Sequence, residues 1–198
     1  MLENTSDENA QQLRATMLLA DRVIKNDYTI PALTRQFDQI IIKRPSWDHY
    51  FMKIAMLVSE RSTCLRHHVG AIITKDKRII TTGYNGAPAG ARDSIQLGCL
   101  RDQLRIASGT RAEICRATHA EQNAIIQAGL HATSPEGGTI YCTHSPCYLC
   151  AKMIANAKIK RFVTYSKYPD EAFGPLFQEL GIEFVQIAKP ETLIATLD

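Results

Sequence analysis

Residues 118–150, THAEQNAIIQAGLHATSPEGGTIYCTHSPCYLC, hold two short motifs, each at the predicted start of a helix. His119-Ala120-Glu121 begins a segment with helical character that runs to Leu130, where Gly129 is a late stop signal. Gly137 and Gly138 precede a predicted strand, Thr139 to Thr143, and Pro146-Cys147-Tyr148-Leu149-Cys150 then begins a helix that continues to Ala157. The stretch therefore predicts a helix, a strand and a second helix.

The same alternation continues on either side of this stretch. Two β-rich runs, Val69 to Thr74 and Arg78 to Thr82, are separated by the polar turn Lys75-Asp76-Lys77 and predict a hairpin. Gly83-Tyr84-Asn85-Gly86 is expected to end the second strand in a turn. After residue 157 the pattern predicts a strand, a helix and a last strand, which cover Arg161 to Tyr165, Asp170 to Leu180 and Ile182 to Ile187. Such alternation indicates a sheet with parallel members and helices on both faces.

The chain is expected to divide into three parts. Residues 1–44 read as an N-terminal helical extension, with an amphipathic helix between about Asn9 and Lys25 and a second apolar stretch from Phe37. This extension packs against the main domain or a neighbouring subunit, or has a regulatory role. Residues 45–187 form the main domain, in which Ser46 is a predicted N-cap for a helix from Trp47 to about Arg61. Residues 188–198 are a C-terminal tail.

The two motifs together predict a catalytic zinc site. His119, Cys147 and Cys150 offer one imidazole and two thiolates, and three protein ligands leave a tetrahedral zinc one open position for water. Helix N-termini favour the thiolate form of cysteine, and Cys147 and Cys150 are three residues apart, on one helical turn. Glu121 would move protons between water and substrate. His-x-Glu followed by Pro-Cys-x-x-Cys is the signature of zinc-dependent base deaminases. A structural zinc, or ordinary buried cysteines, is the alternative.

Composition indicates a soluble globular protein without a membrane or nucleic-acid partner. Of the 198 residues, 45% are apolar and 22% charged, and the net charge of +3 is too small to indicate nucleic-acid binding. There is no run of about 20 apolar residues and no signal peptide at residues 1–10. The six cysteines are therefore expected to be reduced thiols in a cytoplasmic protein.

From about Ser46 to Ile187 the chain resembles the zinc-dependent cytidine deaminase superfamily, and more narrowly its deoxycytidylate (dCMP) deaminase branch. Beyond the zinc motifs, the resemblance rests on Val69 to Ile73, Thr82 to Pro88 and Cys115 to Ile125. The insertion at residues 87–117 also resembles that branch, as well as bacterial late competence proteins. The resemblance implies an α/β fold, a three-layer α/β/α sandwich with a mixed five-stranded sheet. It also implies a homo-oligomer, often a hexamer, activated by dCTP and inhibited by dTTP.

For the site, the resemblance implies Zn²⁺ held by His119, Cys147 and Cys150, Glu121 as proton shuttle and Asn85 in contact with the sugar. Some relatives bind a second, structural zinc, for which this chain offers Cys64, Cys99 and Cys115. A structural site needs four ligands, and the fourth is open between Asp93, His67, His68 and none. Cys142 is expected in the core, and His144 in the pocket wall or on the surface. Candidates for binding a substrate phosphate are Arg66 and the insertion arginines, Arg92, Arg101, Arg105, Arg111 and Arg116.

The sequence therefore favours hydrolytic deamination of dCMP to dUMP with a zinc-activated water, a step that supplies dUMP for thymidylate synthesis. One alternative is deamination of a free base, a nucleoside or an adenosine in tRNA. Another is a zinc-binding accessory protein of DNA uptake that has lost catalysis. Glu121 argues against the accessory protein, because a purely structural zinc has no use for an unligated carboxylate beside it.

Overall fold

The computed structural model describes residues 29–34 and 44–191. The chain divides into two units at Arg44 and Pro45, and each is described by itself. In the first unit, residues 30–34 are helical. The predicted helix between Asn9 and Lys25 and the apolar stretch from Phe37 lie outside the described residues, as does the predicted tail beyond Glu191. In the part of the chain that is described, no helix has the length and apolar character needed to span a membrane.

The second unit is built on one mixed sheet of five strands, in the order β2-β1-β3-β4-β5. The strands are β1 (Gly70–Lys75), β2 (Arg78–Tyr84), β3 (Thr139–Cys142), β4 (Arg161–Thr164) and β5 (Glu183–Gln186). Strand β1 pairs antiparallel with both β2 and β3, whereas β3, β4 and β5 are parallel. This confirms the predicted hairpin and the mixed five-stranded sheet. The parallel part arises because a helix connects each of these strands to the next.

Helices cover both faces of this sheet. The helices of this unit are α1 (Trp47–Ser59), α2 (Ser94–Leu97), α3 (Leu100–Gln103), α4 (Ala120–Leu130), α5 (Tyr148–Asn156) and α6 (Phe173–Leu180). Helix α1 packs on one face, where Phe51, Met52 and Ala55 meet strand residues. Helices α4, α5 and α6 pack on the other face. The three-layer α/β/α sandwich is thus confirmed. The short helices α2 and α3 lie in the insertion, together with a 3-10 turn at Ala112–Ile114.

Alternate strand residues supply the two cores. Ile72, Tyr141 and Val163 face α1, while Ile73, Ile140, Cys142 and Phe162 face the other three helices. This separation follows from the two-residue period of a strand. Cys142 is fully buried, which confirms the prediction that it is a core residue.

Gly83 has a different role from the predicted one. It lies within β2 rather than in a turn after it, and its φ is not in the left-handed region. A Cβ atom at this position would lie 2.3 Å from the backbone oxygen of Ala120 and 2.4 Å from the backbone nitrogen of Ala124. The absence of a side chain therefore lets α4 approach the sheet closely. The hydroxyl of Thr81 also donates a hydrogen bond to the carbonyl of Ala124 (3.0 Å), which ties α4 to β2.

Candidate functional site

Three side chains with metal-binding atoms converge between the N-termini of α4 and α5. Nδ1 of His119 lies 3.5 Å from Sγ of Cys147 and 3.4 Å from Sγ of Cys150. Bonds of 2.0–2.1 Å to nitrogen and 2.3 Å to sulfur at a tetrahedral angle would separate N and S by about 3.5 Å. Within the described residues, this is the only group of three or more such side chains whose ligand atoms all lie within 4.8 Å of one another. The donor set and its spacing therefore fit zinc.

Local structure explains why these residues meet. His119 and Cys147 are the N-caps of α4 and α5, both with extended backbone, so that their side chains lie at the helix starts. The side-chain oxygen of Gln122 accepts a hydrogen bond from the backbone nitrogen of His119 (2.9 Å). In the same way, the Asp170 carboxylate accepts one from the backbone nitrogen of Tyr148 (2.8 Å). Each helix start is thus held by a side chain that binds its first free N–H groups.

The cluster has the electrostatics of a cation site. Hydrogen bonds from Cys150 and His119 lower the pKa of the Cys147 thiol to about 4. The pKa of Cys150 is raised by its hydrogen bond with Cys147 and by burial. The pKa of His119 is raised, chiefly by its hydrogen bond with Cys147. The site therefore holds a thiolate at neutral pH, and a divalent cation would displace the protons that the other two groups share with it.

Glu121 lies in the first turn of α4, beside this cluster. It is only 4% exposed, and burial raises the pKa of its carboxyl group above the ordinary value. A carboxyl group with a raised pKa takes up a proton more readily than an ordinary one, which suits a group that must both accept and release a proton. Because it is acidic, buried and next to the metal-binding atoms, Glu121 is suited to proton transfer.

A cavity opens onto Glu121 and the cluster, and Asn85 lines it. The side-chain oxygen of Asn85 accepts hydrogen bonds from the hydroxyl of Ser62 (2.6 Å) and the backbone nitrogen of Val69 (2.9 Å). Its amide nitrogen donates to the carbonyl of His67 (2.8 Å). An amide nitrogen carries two hydrogens, so one remains for a ligand. Asn85 thus holds the loop before β1 and can offer one donor to the cavity.

The residues predicted to bind a second zinc line the same cavity but do not form a cluster. Cys64, Cys99 and Cys115 are all half-buried. Their ligand atoms do not come together within 4.8 Å as a group of three. Of the candidates for a fourth ligand, Asp93 caps α2 through the backbone nitrogen of Gln96 (3.1 Å). The second zinc stays a prediction.

The structure also brings forward residues that sequence reasoning did not single out. Tyr168 lines the cavity, and Asp170 holds the start of α5 although it was predicted to begin α6. His144 lines the cavity as well, as the pocket-wall alternative predicted. Among the insertion arginines, Arg101 reaches the cavity. The sequence carries no signal for Tyr168, because a lone aromatic residue after a strand is equally typical of a surface loop.

Comparison with known proteins gives one matching family. Residues 45–166, more than half of the chain, match the family described as the cytidine and deoxycytidylate deaminase zinc-binding region. That span contains His119, Glu121, Cys147 and Cys150.

The chain is also similar to individual proteins of known sequence or structure. The chain is 36% identical over 152 residues to the deoxycytidylate deaminase of Schizosaccharomyces pombe. The aligned region covers 76% of this chain and 47% of that protein. It therefore spans about half the length of this relative. It is 37% identical over 154 residues to ComE operon protein 2 of Bacillus subtilis, covering 77% of this chain and 77% of that protein. Among solved structures, the dCMP deaminase of cyanophage S-TIM5 in complex with dCMP and dUMP superposes with a TM-score of 0.62 and 32% identity, covering 73% of this chain and 98% of that one.

Proposed function

The chain belongs to the cytidine and deoxycytidylate deaminase family, and from this premise we propose that it hydrolyses dCMP to dUMP and ammonia. The observation that carries the proposal is the convergence of His119, Cys147 and Cys150 beside the buried carboxyl group of Glu121. Three ligands and one unligated carboxylate are what hydrolytic deamination requires. The relatives named deoxycytidylate deaminase and the cyanophage complex with dCMP and dUMP support this choice of substrate.

His119, Cys147 and Cys150 are the proposed zinc ligands. A zinc ion held by these residues would act as a Lewis acid and lower the pKa of a bound water. The low pKa of Cys147, about 4, means that this ligand is already deprotonated at neutral pH. Cys150 is fully buried, so bulk water does not reach its sulfur atom.

Glu121 is the proposed proton carrier. Its carboxylate would accept a proton from the attacking water as the oxygen adds to C4 of the cytosine ring. It would then deliver that proton to N3 of the ring, accept the remaining proton of the oxygen added at C4, and pass it to the amino group that leaves as ammonia. Burial raises the pKa of Glu121, which favours uptake of a proton by its carboxylate. The remaining amide hydrogen of Asn85 is proposed to contact the deoxyribose.

The proposal extends to the setting of the reaction. All six cysteines are free thiols, which supports a cytoplasmic location, where thiols stay reduced. There the dUMP formed would feed thymidylate synthesis. We also propose a homo-oligomer, with a hexamer favoured, that responds to dCTP and dTTP. Residues 1–44 are a helical extension of the deaminase domain, residues 45–187, in this proposal.

The direct test is ammonia release from zinc-replete protein offered dCMP, deoxycytidine, cytosine and dCTP in parallel. Turnover of dCMP, increased by dCTP and decreased by dTTP, is the expected result. Turnover of another compound in the panel would keep the zinc chemistry and change the substrate. Zinc-loaded protein with no activity on any of them would refute the proposal and favour the accessory role suggested by the similarity to ComE operon protein 2.

A further inference from the structure

The five arginines of the insertion differ sharply in their surroundings. Arg92, Arg105, Arg111 and Arg116 are exposed. Arg101, in α3, is only 6% exposed and lines the cavity that contains His119 and Glu121. Burial of an arginine costs free energy unless its charge is matched. A buried cation such as Arg101 is therefore expected to have an anionic partner.

Among the residues that the structure describes, no carboxylate forms an ion pair with Arg101. Its Nη2 donates a hydrogen bond to the carbonyl of Ala107 (3.1 Å). Its Nε is buried and has no acceptor among the residues that the structure describes. The carboxylates on either side of it in sequence are engaged elsewhere. Asp102 pairs with Arg66 at 2.7 Å, Glu113 pairs with Arg111, and Asp93 accepts a hydrogen bond from the backbone nitrogen of Gln96. Arg101 is thus a buried cation with a free donor.

The cavity as a whole is suited to an anion. Arg66 lines it too, and the Nη1 atom of that side chain is buried without an acceptor in the described part of the chain. His67 and His144 line the cavity as well, and Glu121 is the one carboxylate among its lining residues.

We infer that Arg101 binds the 5′-phosphate of the substrate and so makes the site selective for a nucleoside monophosphate over the nucleoside. This inference rests on the proposed deamination of dCMP. A phosphate carries the charge and the acceptor oxygens that a planar guanidinium binds best. Cytosine and deoxycytidine carry no anionic group, so neither satisfies the free Nε of Arg101.

The test compares the binding of dUMP and deoxyuridine by calorimetry, in wild-type protein and in three variants with equal zinc content. Arg101→Gln removes the charge, Arg101→Lys retains it, and Arg105→Gln removes an exposed charge from the same insertion. For Arg101→Gln, the dissociation constant of dUMP should rise roughly 10- to 100-fold, the value of a hydrogen-bonded charge pair. That of deoxyuridine should change less than about twofold. Arg101→Lys should recover part of the dUMP affinity, and Arg105→Gln should match wild type.

The binding of the two ligands separates this inference from its alternatives. If Arg101→Gln weakens dUMP and deoxyuridine equally, Arg101 only holds the insertion in shape through Ala107, and the inference is overturned. Unchanged dUMP affinity also overturns it. Calorimetry does not depend on turnover. A wild-type protein that binds dUMP through Arg101 without deaminating dCMP would therefore support the phosphate site while refuting the proposed function.

Discussion

Gly83 lies directly beneath α4, and replacing it with alanine tests how the fold positions the metal centre. The added Cβ would lie 2.3 Å from the oxygen of Ala120 and 2.4 Å from the nitrogen of Ala124, whereas ordinary contacts begin at 3.4 Å. Both neighbouring atoms belong to the helix backbone, so no change of side-chain rotamer relieves the contact. Helix α4 must therefore move away from β2 by about 1 Å, a shift of the kind that overpacking forces on a well-packed core.

The displacement acts on the metal centre because His119 is the N-cap of α4. Cys147 and Cys150 lie at the start of α5 and would stay in place, so the imidazole moves relative to the two sulfurs. Metal sites hold their ligand distances to within about 0.2 Å. We expect Gly83→Ala to lose about 1–3 kcal/mol of stability and to lower the melting temperature by about 2–4 °C per kcal/mol. Zinc affinity should fall roughly 10- to 100-fold, as when the supports of metal ligands are removed.

Gly70→Ala is the matched control. Its Cβ would lie 2.1 Å from the oxygen of Ala55 and 2.5 Å from the nitrogen of Ser59, both in α1 on the opposite face of the sheet. The steric conflict is similar, but α1 carries no metal ligand. Calorimetric melting and zinc competition against a chelator should show lower stability for both variants and weaker zinc binding for Gly83→Ala alone. Equal zinc loss in both variants, or wild-type zinc affinity in Gly83→Ala, would refute the reasoning.

Three further changes test the site and its supports. Glu121→Gln should keep zinc bound and reduce ammonia release about 10²- to 10⁴-fold, and wild-type turnover would show that another group carries the proton. Asp170→Ala removes the acceptor for the backbone nitrogen of Tyr148. The melting temperature should therefore fall by the equivalent of about 1 kcal/mol. An unchanged melting temperature would show that solvent replaces this hydrogen bond. The Arg161 guanidinium lowers the pKa of Asp48, so this pair stabilises the fold above about pH 4 and loses its effect as the pH falls through the folded-state pKa. Asp48→Asn should therefore be less stable than wild type in urea at pH 7, and the difference should shrink as the pH is lowered from about 4. A difference that does not change with pH would contradict the pairing.

The elements that position the site could be predicted from sequence because their signals are local. A run of β-branched residues, a glycine pair and a proline before Cys147 each act within a few residues. The predicted order of strands and helices therefore matches the structure from Trp47 to Gln186, except that α2, α3 and the 3-10 turn of the insertion were not predicted. The ligand set of His119, Cys147 and Cys150 was predictable for a second reason. A metal ligand must be one of a few residue types, and few other positions in the chain offer that spacing.

Features that depend on distant contacts were not predictable. Gly83 reads as a turn residue in the sequence, and its role becomes apparent only when the distance between α4 and β2 is known. No sequence pattern distinguishes the five insertion arginines from one another, and only its burial in the structure identifies Arg101. Asp170 was expected to start one helix and instead holds the start of another. In each case the deciding partner is far away in the chain, so no local pattern could identify it.

The proposed chemistry and the inferred selectivity of this site depend on different parts of the chain. His119, Glu121, Cys147 and Cys150 lie at the starts of two helices whose positions are set by a fully buried core. Arg101 lies in the insertion, where α2 and α3 have four residues each and no buried apolar side chain. A change in the insertion can therefore alter which ligand the cavity accepts without moving the metal ligands. Exchanging residues 87–117 should change the preference between nucleotide and nucleoside more than it changes zinc affinity.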